Sequence, residues 1–209
     1  MTMEPLIHVA GQDGTQLTLP GLLWPAGVDR GNSDPVFFAP INKKQANELI
    51  AAWGSHPLGI YNRKFGYQAW GLAVDGVAAA VAISGSTVGT SAAGYNRFAC
   101  VDLARIARNP DPKHAGIMRV MLRLWRDYLA VKWADRYWPV DAAVSYALPG
   151  KAGNLYRFDG WTKYGTVKAR RGPQSPHSWS GPSRAQGIAD EIMAVWYYDY
   201  NRCPAVSTG

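Results

Sequence analysis

The chain is predicted to adopt a mixed α/β fold, on three observations. Strands and helices alternate in the order β–α–β–β–β–α–β–α–β, an Asp-Gly pair joins two apolar strands, and an amphipathic helix follows directly on an apolar strand. The 209 residues are 47% hydrophobic and 18% charged, enough for one sizeable core. No apolar run reaches the ~20 residues that a membrane-spanning helix needs.

Residues 1–35 read as an N-terminal hairpin and loop, with strand-like "LIHVA" and "TQLTL" around "GQDG", then the Gly/Pro-rich "PGLLWPAGVDRGNSDP". "INKKQANELIAAW" places Ile41, Gln45, Leu49 and Ala52 near helical spacing, and "GSHPLG" stops that helix. "QAWGLAVDGVAAAVAISGS" gives strands over 68–74 and 77–84, joined at Asp75-Gly76. The Gly-rich "SGSTVGTSAAG", residues 84–94, reads as a flexible loop between strands and lacks the Gly-Lys-Ser/Thr of a P-loop. "YNRFACVDLARIA" alternates with period two as a strand does.

"ARNPDPKHAGIMRVMLRLWRDYL", residues 107–129, then runs from a turn-rich loop into a helix. That helix is predicted to bury Ile117, Val120, Met121, Leu124 and Tyr128, with Arg119, Arg123 and Arg126 on a solvated side. "VDAAVSYAL" reads as a strand, "GKAGNLYRFDGW" as a short helix closed by Gly160, and "TKYGTVKARR" as a strand. The core is thus expected over 36–172. Residues 173–209 form a Ser/Pro/Gly-rich link and an appendage, whose "IADEIMAVWYYDY" could extend the sheet, cover an edge or dimerise.

A net charge of +7 would attract a polyanion such as nucleic acid, and nine Trp and eleven Tyr either fill the core or stack on unpaired bases. Cys100 and Cys203 stand apart, which predicts neither a disulfide framework nor a Cys-based metal site, and no His/Asp/Glu set has metal-ligand spacing. The N-terminus lacks the pattern of a signal peptide, so a cytoplasmic protein is expected. With no Gly-x-Ser-x-Gly elbow, a Ser-based hydrolase is unsupported.

Several residues carry potential chemistry. The helix beginning near Gly116 offers unpaired backbone N–H groups and a positive dipole end, suited to phosphate, with Lys113 and His114 as added donors. Arg105 lies in an apolar strand, where a cation is costly unless paired. His56 is the one histidine near the first helix and could take a proton near neutral pH, and Tyr146 ends a strand where it could touch substrate.

"YRFDGW", with Tyr156, Gly160 and Trp161, resembles the end of the last core helix in the acyl-CoA N-acyltransferase (GNAT) superfamily. The resemblance implies a twisted, mixed GNAT-like sheet flanked by helices, with the N-terminal hairpin and C-terminal extension added to it. It further implies acetyl-CoA or a related acyl-CoA as donor and Tyr156 as the acid that protonates the departing thiolate. The cofactor would lie on Ile106, Ala107, Arg108, Asn109, Lys113, His114, Ala115, Gly116, Ile117 and Asn154. The loop departs from the family in having only Gly116, while Pro110 and Pro112 remove N–H donors.

Within that superfamily, "ANELIAAWGSHPLG", "LARIARNP…KHAGIM" and "VSYALPGKAGNLYRFDGWTKYG" are similar to phage Mom-like DNA-modification proteins over roughly residues 41–167. This implies modification of adenine in double-stranded DNA, in the host cytoplasm if the chain is phage-encoded, with His56, Arg105 and Tyr156 in the active site. Leu148 stands where the Mom pattern has Asp. An N-acetyltransferase for a small-molecule or protein amine, and a non-catalytic basic DNA-binding protein, are the competing expectations.

Overall fold

The computed structural model describes residues 15–16, 36–54, 56, 59–63, 66–74, 76–87, 89–111, 114–148, 151, 153–168 and 192–202. Its strands are β1 (Thr15–Gln16), β2 (Val36–Ile41), β3 (Tyr67–Val74), β4 (Val77–Gly85), β5 (Ser91–Ala92), β6 (Tyr95–Asn96), β7 (Cys100–Arg108), β8 (Ala142–Ala147), β9 (Thr162–Lys168) and β10 (Ile192–Asp199). Its α-helices are α1 (Lys43–Trp53), α2 (Ile117–Leu124) and α3 (Asn154–Arg157). Eight strands form one mixed sheet in the order β1-β2-β3-β4-β7-β8-β10-β9, in which β7–β8 is the parallel pair. The "LIHVA" half of the expected N-terminal hairpin lies outside the described residues. Thr15–Gln16 pairs instead with β2, a strand the sequence did not announce. Pro40 stands opposite Trp70 of β3, while the described pairing with β1 involves Phe37 and Phe38.

Helix α1 starts on a capping box. Asn42 accepts from the Gln45 N–H at 2.9 Å, while the Gln45 side chain accepts from the Asn42 N–H at 3.0 Å. Gly54 ends it in the left-handed conformation at φ 57°. Ala46, Leu49 and Ile50 bury one stripe against Ala69, Val81, Ile83, Ala104 and Ala107 on one sheet face. On the opposite face, Ile117, Val120, Met121 and Leu124 of α2 pack against Leu72, Ala80, Ala82, Leu103 and Ile106.

Two irregularities alter the expected periodicities. After α2 the chain makes a π-type turn over Trp125–Leu129 before a 3-10 turn over Val131–Asp135. The wider turn shifts the helical phase, so Trp125 and Leu129 are buried and Tyr128, expected inside, is 54% exposed. In β7, Ile83 pairs with Arg105 and Ser84 with Leu103, which leaves Ala104 as a bulge. Strict alternation would pair Arg105 with Leu103 on one face; the bulge instead puts Leu103 in the α2-side core and both Ala104 and Arg105 on the α1 side.

The described part of the C-terminal segment joins the sheet. Its strand β10 inserts between β8 and β9, antiparallel to both, and buries Val195 and Trp196. Of the three fates left open for it, the strand extends the sheet from within. The "SGSTVGTSAAG" stretch is also more ordered than a flexible loop: Thr87 is buried, and Ser91–Ala92 pairs with Tyr95–Asn96. Cys100 is a buried free thiol, pushed up to about 11 mainly by burial, and Cys203 lies outside the described residues. Among the described residues, no helix is long and apolar enough to cross a membrane.

Candidate functional site

β7 and β8 are paired only at Cys100↔Ala142, Val101↔Ala143 and Asp102↔Val144. Beyond that point both strands continue, to Arg108 and Ala147, without pairing to each other. Two parallel strands that part inside a sheet leave main-chain groups facing an opening instead of a ladder. Helix α3 supplies a side chain to that opening. The Tyr156 hydroxyl lies 2.9 Å from Ser145 Oγ on β8, and Ser145 Oγ donates weakly to the Leu103 carbonyl on β7 at 3.4 Å. The phenol thus stands at the crotch of the two strands.

Tyr156 is held there by rings. Trp161 meets it edge-on at 5.3 Å and Trp196 stacks on it at 5.9 Å. Gly153, at φ 69°, caps α3, and a Cβ there would come within 2.5 Å of the Trp196 indole. Burial pushes the Tyr156 hydroxyl up to about 12. The Ser145 hydrogen bond acts the other way, and the charge of Asp102 raises it further.

The α1 face of the opening carries different chemistry. Arg105, 3% exposed, donates from Nε to the Gly59 carbonyl at 2.9 Å, from Nη1 to the Ala104 carbonyl at 2.6 Å and from Nη2 to the Ile60 carbonyl at 3.3 Å. It also lies 5.9 Å from the Tyr61 ring centroid. The expected cost of burying this cation is offset by main-chain dipoles of the loop that follows α1. That loop is pinned from α1 as well. Asn47 donates to the Tyr61 carbonyl at 3.0 Å and accepts its N–H at 2.7 Å, and Lys43 Nζ donates to the Arg63 carbonyl at 3.0 Å.

His56 belongs to the same loop and is held down at about 3, first by burial and then by the Arg105 charge. Its imidazole is therefore neutral at pH 7, but such a depressed value makes it a weak proton acceptor. Asp102, 1% exposed, lies on β7 at the last paired position, with its Oδ2 3.7 Å from Arg63 Nη2. Asp102, Arg63 and Asn47 were not singled out from sequence. A lone Asp in the apolar run "CVDLARIA" was the one signal that could have marked the first of them.

The loop after β7 sits where the phosphate-binding loop was expected. Asn109 fixes its start, donating from Nδ2 to the Ala78 carbonyl at 3.1 Å and accepting the Asp111 N–H at 3.0 Å. Arg108 Nη1 donates to the Asn109 carbonyl at 3.0 Å, and the His114 N–H donates to the Asp111 carbonyl at 3.0 Å. The loop thus uses two of its own amides internally. Gly116 then turns at φ 82° and opens α2, leaving Ala115 exposed and the amides near Ile117 at the helix start.

His114 is 1% exposed, so its imidazole underlies the loop and does not offer a donor at its surface. Lys113 lies outside the described residues. Ile106 is buried in the α2-side core and Ala107 in the α1-side core. Asn154 is exposed at the first position of α3. Tyr146, half-buried on β8, packs toward Val195 and Cys100 on the face away from Tyr156. The structure therefore brings Tyr156, Ser145 and the start of the splay together on one face. On the other, Arg105 stands beside the His56 loop. Among the described residues, no group of three or more His, Cys, Asp or Glu side chains is placed to hold a metal ion.

Solved structures resemble this architecture. The ribosomal-protein-S18-alanine N-acetyltransferase from Escherichia coli matches with a TM-score of 0.50 and 17% identity, over 78% of this chain and 93% of that one. A protein from Desulfovibrio desulfuricans assigned to the GNAT-family acetyltransferases matches at 0.51 and 15%, over 78% and 98%. Mycobacterium smegmatis RimJ, solved with CoA-disulfide, matches at 0.51 and 10%, over 81% and 84%. No protein-family model matches the sequence, and no curated protein does. At these identities the likeness is one of fold, and the fold is that of the GNAT acetyltransferases.

Proposed function

We propose that this protein is an N-acyltransferase that uses acetyl-CoA or a related acyl-CoA. The observation that carries this reading is the parting of β7 from β8 after Asp102↔Val144, with the Tyr156 hydroxyl at the crotch. An opening of this kind suits an extended thioester arm, and the start of α2 at Gly116 suits its phosphates. The main chain of residues 106–109 and 115–117, with the exposed Asn154 at the start of α3, would line the cofactor, its phosphates meeting amides at the helix start because the loop holds its own. Acyl-CoA would supply a thioester carbon open to attack by an amine and a thiolate that leaves.

Each residue then has a defined task. Tyr156, raised to about 12, keeps its proton at any working pH and holds it at Oη for the leaving sulfur. After donation the Ser145 hydroxyl can turn from the Leu103 carbonyl to donate to the phenolate, and Asp102 biases the phenol toward its protonated form beforehand. Past Asp102 the main chain of β7 is unpaired on its β8 side, and an N–H there, over 104–107, can polarise the acyl carbonyl. Arg105 fixes the loop bearing His56, whose neutral imidazole hydrogen-bonds the acceptor amine; the proton the amine loses on attack passes to solvent, from which the Tyr156 phenolate is reprotonated.

For the acceptor, the net charge of +7 supports a polyanion, in line with the nucleobase amine implied by the Mom-like resemblance. A small-molecule or protein amine fits the same site chemistry. Calorimetry with CoA, followed by thiol release from acetyl-CoA with duplex DNA or with primary amines, tests both levels. Absence of CoA binding would sink the acyltransferase reading. CoA binding with unmodified nucleosides by mass spectrometry would remove only DNA as the acceptor.

A further inference from the structure

The arginines of α2 and the turn after it are only partly solvated. Arg119, Arg123 and Arg126 converge on the turn that ends α3. Arg119 Nε lies 3.3 Å from Asp159 Oδ2 and its Nη2 lies 3.3 Å from Oδ1. Arg123 Nε donates to Oδ1 at 2.5 Å, and Arg126 Nη1 donates to the Asp159 carbonyl. Arg119 also reaches the Phe158 carbonyl at 3.4 Å. The Asp159 side chain is 0% exposed, whereas those of Arg119 and Arg123 are 40% and 39% exposed. Burying an acidic side chain to that degree is costly unless opposite charges pair it, and the Arg119 and Arg123 guanidinium groups do so.

The location of this clamp gives it a consequence. α3 has only four residues, too short to be stable on its own. Tyr156 sits on it, and the Asp159 N–H donates back to the Tyr156 carbonyl at 3.0 Å. Arg119 lies three positions beyond the Gly116 cap, in the first turn of α2, and its N–H donates to the Gly116 carbonyl at 3.0 Å. One short helix therefore has its N-terminus at the proposed phosphate site and its side chains on the support of the proposed acid.

We infer that the Asp159 clamp couples occupation of the α2 N-terminus to the placement of Tyr156, so that Arg119, Arg123 and Asp159 are positioning residues for proton donation. This rests on the acyl-CoA reading above. Anion binding at Gly116 orders the first turn, Arg119 transmits that order to the 158–160 turn, and Tyr156 keeps its hydroxyl on Ser145. None of the three positioning residues needs to touch the substrate.

Amide hydrogen exchange on the full chain, with CoA as the probe, tests this without knowledge of the acceptor. CoA is expected to slow exchange both at the first turn of α2 and over 154–160. In Arg119→Ala the first protection remains, while that over 154–160 drops about tenfold or more. Equal protection of both segments in the variant overturns the coupling. A double-mutant cycle supplies a second measurement, read as thiol release from acetyl-CoA. Asp159→Asn is expected to slow release about tenfold, with no further loss in a Tyr156→Phe background, because both changes act through one group. Additive losses mean a general structural role and also overturn it. If Asp159→Asn does not fold, Arg123→Lys takes its place in the cycle. If CoA protects neither segment and gives no calorimetric signal, the acyl-CoA reading fails, a result distinct from failure of the coupling alone.

Discussion

On the α2 side of the opening, side chains hold the functional group. Tyr156 is fixed by Trp161, Trp196 and Ser145, and its helix by the carboxylate of Asp159. On the α1 side, main-chain atoms are what is held: Arg105 donates to the Gly59 and Ile60 carbonyls, and Asn47 brackets Tyr61 through its amide and carbonyl. Side-chain packing demands particular residues, whereas a carbonyl is the same whatever side chain it carries. The donor side is thus intolerant of change, while the acceptor loop can vary its side chains and keep its position.

The sharpest way to break the comparison is on the donor side. Tyr156→Phe keeps the ring between Trp161 and Trp196 but removes the proton. Turnover is expected to fall by about 10²–10⁴, with CoA affinity by calorimetry nearly unchanged. Wild-type turnover in this variant would remove Tyr156 as the acid.

The acceptor side breaks at Arg105. Arg105→Met removes charged donors from buried carbonyls, which should cost roughly 3 kcal/mol in urea unfolding. The Michaelis constant for the acceptor should rise more than that for acetyl-CoA, because the loop and not the splay loses its anchor. A change confined to acetyl-CoA would reverse the assignment of the two sides.

Gly153→Ala probes the intolerance directly. The added Cβ meets the Trp196 indole at 2.5 Å from a backbone at φ 69°, so strand, ring or helix must move. A loss of about 1–3 kcal/mol is expected, seen as a lower melting temperature. The same substitution at Gly54, also left-handed at φ 57° but with nothing within 4 Å, carries only the backbone strain. Equal losses at the two sites would show that ring contact at Gly153 adds nothing.

Much of this was readable locally. The pairing of the strands on either side of position 75, the stop of α1 at Gly54 and the Tyr156–Gly160–Trp161 spacing depend on neighbours along the chain and have structural counterparts, whereas Ile41, expected in the helix, ends β2 and Ala52 is exposed. What was not readable depends on partners remote in sequence. The bulge at Ala104 exists only against Ile83 and Ser84 of β4. The basic stripe of α2 looked solvated because its counterion, Asp159, lies 36 positions beyond Arg123. The C-terminal strand offered no local sign that it would enter between β8 and β9. The burial of His114 likewise depends on tertiary packing around a loop whose composition suggested exposed donors.

The smallest effect, on His56, separates the two sides by pH. In the unfolded chain an imidazole takes up a proton as the pH falls below 6.5, but in the folded chain His56 stays neutral down to about 3. The unfolded state therefore binds more protons between those values, so this residue's contribution is fully favourable above 6.5 and is lost progressively as the pH falls toward 3. His56→Gln keeps a polar side chain without the titration. Its urea midpoint should fall less steeply than that of the wild type between pH 6.5 and about 4. Because the Arg105 charge is the second cause of the shift after burial, Arg105→Met should also flatten the acid dependence, though less than His56→Gln does. Tyr156, raised to about 12, leaves this acid window untouched and acts only above pH 10, where the unfolded tyrosine ionises first and stability falls. A Tyr156→Phe protein should therefore share the wild-type acid slope and lose only part of its alkaline one. An altered acid slope in that variant would mean that the two faces of the opening are not independent.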